Sequence, residues 1–388
     1  MKELHVGGVV DERFKPVQDS FRRNFTEKWE NGGAAFAVFH RGKLVVDLWG
    51  GYADKSCNRL WNEDTITVIF SCTKSLAAIC MAMLVDRGLC SYNDKVIKYW
   101  PEFGQNGKAD ITIEMILAHK AGLPYFEPEL TLSDLTNHLQ MATIIEQEAP
   151  KFPPGTKTAY HPLTYGWLID QVFSRIDTQN RTVGQFFREE IEDKHHVDVH
   201  IGECASEEIR IARLTGLYFP LAVRDRKIGW IAKHGLDPRG YFAKGLKNMR
   251  RFGKSFTLYN NPETRLAGQP GVNGVASAKG LAYVHQMAMD GTLLSSEARK
   301  RISEPLFPNE FDHSIGEVQH KGHGFIYTRS PTNSWQVGHM GVGGQVIRFD
   351  PDNELVLCYL TNAMKAGSGE HTFTYNRLQR KVYEIIKK

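Results

Sequence analysis

Strand-like segments lie at both ends of this chain, with a long helix-rich stretch between them, and that distribution limits what it can fold into. Residues 34–39 and 44–49 are apolar almost throughout, and Arg41-Gly42-Lys43 between them reads as a hairpin turn. Strand character returns only after about residue 320, at 324–327, 344–350 and 355–360. The last two of these form a second hairpin across Asp350-Pro351-Asp352-Asn353. Strands apolar on both faces belong in a sheet covered on both sides. Phe14, Val17, Phe21 and Phe25 recur at helical spacing within 12–30, and 372–387 reads as a closing helix. The middle, about 75 to 265, is helical and punctuated by Gly and Pro; within it 111–124 reads as a helix with Gly122 and Pro124 at its exit. The expectation is an α+β fold: an antiparallel sheet built from both chain ends, flanked by helices, with an all-helical insertion. Residues 1–75 with 270–388 would form the sheet domain, 76–269 a mainly helical one, and an active site would lie between them.

Composition excludes several classes of function. With 48 Lys and Arg against 44 Asp and Glu, the net charge of +4 gives no reason to expect a nucleic-acid partner. The one basic run, 244–254, is expected to be a solvated helix face. No stretch of about 18 apolar residues exists to span a membrane. The first residues lack the apolar core of a signal peptide. The six cysteines have no metal-ligand spacing, and several sit in apolar runs, as buried thiols do in a reducing compartment. A cytoplasmic location follows as the expectation.

Chemistry concentrates in Phe70-Ser71-Cys72-Thr73-Lys74. On a helix Ser71 and Lys74 share one face, one turn apart. The run 76–85 that follows is apolar on nearly every side, so its helix is expected to be buried, closing at Asp86-Arg87-Gly88. A lysine on the first turn of a buried helix loses hydration, which favours its neutral form. A neutral amine beside a hydroxyl can take its proton and make it a nucleophile. The helix N-terminus would favour the negative charge that develops in acyl transfer. Ser-x-x-Lys alone is a common pattern; its flanks give it meaning.

Other landmarks agree in order and spacing. Ser71 and Lys74, the helical middle and the glycine-rich segment Gly338-His339-Met340-Gly341-Val342-Gly343-Gly344 together resemble the serine β-lactamase and penicillin-binding-protein family. The match is closest to the branch holding class C β-lactamases, DD-peptidases, family VIII carboxylesterases and animal β-lactamase-domain proteins, and covers roughly 30 to 385. Residues 116–124 resemble the family's Leu-Leu-x-His-x-Ser-Gly-Leu-Pro, Phe152-Pro153-Pro154-Gly155 the approach to its second motif, and Pro270-Gly271-Val272-Asn273-Gly274 the segment before the return to the sheet. The resemblance implies Ser71 as acylated nucleophile, Lys74 as its amine partner and Tyr160, in Tyr160-His161-Pro162, as a further proton-transfer group. A cationic Lys74 beside it would push Tyr160 toward phenolate. The resemblance also implies an oxyanion hole from the Ser71 and Val342 N–H groups, with His339, Gly341 and Asn273 contacting substrate.

Two departures bear on substrate. Pro162 stands where the family has an Asn, and His339 where lactamases have a Lys that holds a substrate carboxylate. Both favour an ester or less charged amide over an anionic lactam. The implied function is serine hydrolysis of a small-molecule, ester or peptide substrate through an acyl-enzyme, with no cofactor. The alternative is a catalytically silent scaffold or ligand-binding protein, and a homo-oligomer is open to either. His195, His196 and His200 offer no third ligand of the kind a catalytic zinc needs, so no metal is expected. His119 is read as structural, and Trp230, Tyr241 and Phe242 as pocket-wall residues.

Overall fold

The computed structural model describes residues 4–202, 204–217, 237–249, 253 and 255–387. Its main sheet joins the two chain ends. The N-terminal part supplies β1 (Val6–Val10), β2 (Gly33–His40), β3 (Lys43–Asp54) and the short β4 (Arg59–Leu60). The C-terminal part supplies β8 (Phe307–Asp312), β9 (Glu317–Gly322), β10 (Phe325–Arg329), β11 (Trp335–Met340), β12 (Val346–Asp350) and β13 (Leu355–Thr361). Strand order is β1-β3-β2-β13-β12-β11-β10-β9-β8, with β4 on β3. Every pairing in it is antiparallel. The two halves meet where β2 pairs β13, from Leu355 opposite His40 to Thr361 opposite Ala34. A smaller sheet, β5 (Thr67–Val68), β7 (Val275–Ala276) and β6 (Val199–His200), ties the approach to Ser71 to the middle of the chain.

Both faces of the central strands are covered, as their apolar runs require. On one face α1 (Lys15–Thr26) and the C-terminal helix pack over the sheet, burying Phe14, Val17, Phe21, Leu378 and Val382 against Phe36, Val38, Leu48 and Tyr359. The other face carries the larger core, into which α2 (Thr73–Asp86) is inserted. Every residue of α2 from Thr73 to Leu84 is buried, so no side of it meets water. The helix stops at Arg87-Gly88, where Gly88 adopts φ +73°.

Several elements differ from the sequence reading. The helix expected over 111–124 forms only as α3 (Ile113–Leu117), started by Thr112, whose side chain accepts from the Met115 N–H. The chain then turns through His119 at φ +61° and Gly122 at φ +77°, which no helix continues. Strands β1, β8 and β9 carry polar or small residues in half-exposed patterns and lack the apolar signature, and β11 is buried but carries Gln336 and His339. Among the described residues no helix is long and apolar enough to cross a membrane. Five cysteines are buried and Cys57 is exposed. Of the basic run, Lys244 and Lys247 lie on the helix Tyr241–Lys247; Arg250, Arg251 and Lys254 fall outside the described residues.

Candidate active site

The chain reaches Ser71 through a strained turn. A single turn of 3-10 helix, Phe70–Cys72, connects to α2, and Phe70 stands at φ +46°, a left-handed conformation that costs a bulky residue about 1–3 kcal/mol. Its surroundings hold it there. The ring packs edge-on between Phe256 and Tyr259, with centroids 6.0 and 5.5 Å away. Ile69 N–H donates to Gly274 O at 2.9 Å. Thr73 Oγ1 donates to Phe70 O at 2.6 Å and accepts from Gly274 N–H at 3.1 Å. The outcome is a rigid presentation of the Ser71 side chain at the start of a buried helix.

Lys74 lies one turn further on. Its Nζ donates to Pro162 O at 2.9 Å and Gly271 O at 2.8 Å and lies 3.1 Å from Ser71 Oγ. The residue is fully buried, and these partners are a hydroxyl and two carbonyls, not a carboxylate. Burial therefore holds its pKa well below the ordinary lysine value. The Pro162 carbonyl thus engages the amine from the position where the family's Asn was expected.

Tyr160 completes the cluster. Its hydroxyl shares a hydrogen bond with the Ser71 side chain, and Lys74 Nζ stands 5.1 Å from its ring centroid. Burial raises its pKa and outweighs the Ser71 hydrogen bond, which acts the other way. The phenolate expected from a cationic lysine is therefore not favoured, because the same burial that discharges the lysine keeps the phenol protonated.

Residues invisible to motif reading hold Tyr160 in place. Its backbone N–H donates to Asp312 Oδ1 at 3.1 Å, and Asp312 also accepts from the Ser314 and Ile315 N–H groups at 2.8 and 2.9 Å. The other Asp312 oxygen pairs with the buried Lys321. Burial raises the Asp312 pKa, but Lys321 and these hydrogen bonds overcome that and hold it below the usual carboxylate range. His119 packs on the Tyr160 ring at 4.6 Å, and its Nδ1 accepts from the His161 N–H at 3.1 Å, a structural role as read from sequence.

The third motif ends β11 and turns into β12. Cys72 Sγ lies 3.6 Å from the His339 carbonyl, and a Cβ on Gly341 would stand 2.6 Å from Ile69 O, so this turn rests directly on the Ser71 turn. Gly343 at φ +83° and Gly344 at φ +108° need glycine for those angles. Ser71 and Val342 both line the cavity, and among the described residues neither N–H has a recorded backbone acceptor outside the regular elements. Val342 sits in the β11–β12 turn, and β10, β9 and β8 extend the sheet beyond it.

A family model described as Beta-lactamase matches residues 21–381. The chain belongs to the β-lactamase family. It is 32% identical over 378 residues to the esterase/β-lactamase LipL of Mycobacterium tuberculosis, covering 92% of this chain and 83% of that one. A family VIII carboxylesterase superposes with a TM-score of 0.86 at 28% identity, over 98% of this chain and 100% of that one. EstA from Arthrobacter nitroguajacolicus superposes at 0.83 with 30% identity and 99% coverage of both chains. A penicillin-binding-protein homologue from Caulobacter crescentus gives 0.82 at 29% identity, covering 98% of this chain and all of its own.

In this β-lactamase-family member Ser71, Tyr160, His339, Gly341 and Val342 line one cavity of ≈ 380 Å³. One wall is apolar: Phe242, Leu246, Met249, Phe256, Tyr259 and Val272. His339 is almost fully buried, with Nδ1 on its neighbour's Met340 carbonyl at 2.7 Å, and burial drives its pKa well down, so it supplies no positive charge. Lys365 lines the cavity but pairs with Glu30 at 2.7 Å.

Two sequence-based placements fail. Asn273 does not line the cavity; it is buried behind Val272, with Nδ2 donating to Thr264 O at 3.0 Å and Arg265 O at 3.2 Å. Tyr241 turns away, its ring against Phe152 at 5.8 Å and its hydroxyl 3.4 Å from Lys157 Nζ. Trp230 lies outside the described residues. Of the histidine group, His200 is held by Glu192 at 2.7 Å and Asp198 at 3.3 Å. Those carboxylates overcome burial and push its pKa up to about 9. Among the described residues no group of three or more His, Cys, Asp or Glu could hold a metal ion.

Proposed function

We propose that this protein is a serine hydrolase that cleaves uncharged, apolar esters through an acyl-enzyme on Ser71. The observation that carries the proposal is the 3.1 Å contact between Ser71 Oγ and a fully buried Lys74 amine that burial drives toward its neutral form. A neutral amine at that distance is a general base in hydrogen-bond reach of its proton. Lys74 takes the hydroxyl proton as Oγ attacks the carbonyl. The developing oxyanion is met by the Ser71 and Val342 N–H groups, whose loss would each cost about 2.7–4 kcal/mol of transition-state stabilisation. Tyr160, protonated and hydrogen-bonded to Ser71, passes a proton to the leaving alkoxide. Water then attacks the acyl-enzyme, with the same groups acting in reverse.

Substrate class follows from the cavity wall. Among the described lining residues, the Lys365 charge is neutralised by Glu30, His371 faces Glu317 at 3.7 Å and burial drives the His339 pKa well down, which disfavours an anionic lactam. The apolar wall fits an acyl chain or aromatic ring. Similarity to a family VIII carboxylesterase, and to LipL, whose name gives both esterase and β-lactamase, supports ester hydrolysis. A fluorophosphonate probe tests the proposal: wild type labels on Ser71 and Ser71→Ala does not. A wild type that neither labels nor turns over p-nitrophenyl esters would instead be a silent scaffold.

A further inference from the structure

The turn that carries Val342 contains Gly341, Gly343 and Gly344, whose backbone freedom makes its geometry depend on the contacts that hold it. Gln345 makes one clamp: its carbonyl accepts from Gly341 N–H at 2.8 Å, and its side-chain amide bonds both ways to the Thr361 backbone, at 2.6 and 2.9 Å. The second clamp is Lys365. Its N–H donates to Gly343 O at 3.2 Å, and its aliphatic stem lies on Gly344, where a Cβ would stand 3.1 Å from Lys365 Cδ. The stem stays there because Nζ is anchored. It donates to Glu30 Oε2 at 2.7 Å, Ala363 O at 3.2 Å and Thr361 Oγ1 at 3.4 Å.

Glu30 comes from the opposite end of the chain, in the turn between α1 and β2, where its N–H donates to Asn24 O at 2.8 Å. Its side chain is fully buried and also accepts from Tyr359 OH at 2.6 Å. A buried ion pair contributes little net stability, since desolvation offsets the attraction. What it supplies well is a fixed geometry, and the geometry fixed here is that of the glycine turn.

We propose that Glu30 and Lys365 form a positioning pair that sets the Val342 N–H at the distance an oxyanion requires. Neither residue exchanges protons with substrate. The inference rests on the serine-hydrolase reading, in which that N–H stabilises the transition state.

Four variants test it: Glu30→Gln, Lys365→Met, the double E30Q/K365M, and Lys365→Arg, which keeps the Cγ, the Cδ and the charge. Turnover of a p-nitrophenyl ester and affinity for a phenylboronic acid, which becomes tetrahedral on Ser71, are measured on variants shown to be folded by urea melts. The charge-removing variants are expected to lose kcat by about tenfold or more, part of the ~10²–10³-fold carried by one oxyanion donor. KM should stay within about twofold, boronate affinity should fall with kcat, and Lys365→Arg should retain most activity. The double variant leaves no buried charge unpaired, so it decides the matter if the single variants do not fold. Unchanged kcat in the folded double variant, or KM rising with no change in kcat, would overturn the pair's role. An inactive, unlabelled wild type would overturn the hydrolase reading itself and the pair's role with it.

Discussion

Replacing Lys74 by Met should make stability respond to pH in a way that reports the charge of the amine. In the folded protein Nζ is buried with two carbonyls and a hydroxyl, which drives its pKa well below that of the unfolded chain. Between the two pKa values the unfolded chain binds the extra proton, so wild-type stability rises with pH and falls as pH drops. The slope for one group is about 1.4 kcal/mol per pH unit. Met binds no proton in either state. The stability difference, wild type minus Lys74→Met, should therefore grow with rising pH over the alkaline range below the unfolded lysine pKa, at up to that slope. At the alkaline end the variant also leaves the Pro162 and Gly271 carbonyls without their donor, worth about 1–3 kcal/mol each. Urea unfolding of both proteins across that range measures the double difference, from which other titrating groups cancel. Ester turnover by the variant should fall by about 10²–10⁴-fold. A flat difference would mean that the folded amine keeps its proton and is not the base.

Tyr160→Phe keeps the ring on His119 but removes the hydroxyl, and should lower kcat about 10²-fold for alkyl esters, less for p-nitrophenyl esters, whose leaving group needs no proton. Equal losses on both substrates, compared in steady-state assays, would remove Tyr160 from proton delivery. Asp312→Asn leaves Lys321 buried without its charged partner and should cost about 3–5 kcal/mol in chemical denaturation. Asn273→Ala should cost about 1–3 kcal/mol of stability yet leave KM unchanged, because its amide bonds backbone rather than substrate; a raised KM in the folded variant would restore it to the binding site.

The legible parts of the fold are those where one segment carries its own signal. Strands β2 and β13 are apolar on both faces and α2 is apolar nearly all round, so they could be read locally. Strands β8 and β9 carry Asn309, Glu310, Glu317 and Gln319 in half-exposed patterns, and only their pairing makes them strands. The site divides the same way. Ser71 and Lys74 are one helical turn apart, a spacing any sequence displays, and the family motifs led to Tyr160 and Val342. The carbonyls that hold the Lys74 amine come from Pro162 and Gly271, 88 and 197 residues away, and carry no side-chain signature. Asp312 and Lys321, and equally Glu30 and Lys365, are charged residues that look solvent-exposed in sequence and are buried only by contacts made across the fold. Asn273 misled because an Asn in a glycine-rich turn reads as a ligand contact when its partners are backbone carbonyls.

A rapid-quench experiment with a p-nitrophenyl ester, digested and read by mass spectrometry, tests the central claim most directly. The predicted result is a burst of p-nitrophenol with the acyl group recovered on the peptide containing Ser71. Steady turnover with no acyl mass on that peptide, and undiminished in Ser71→Ala, would contradict it.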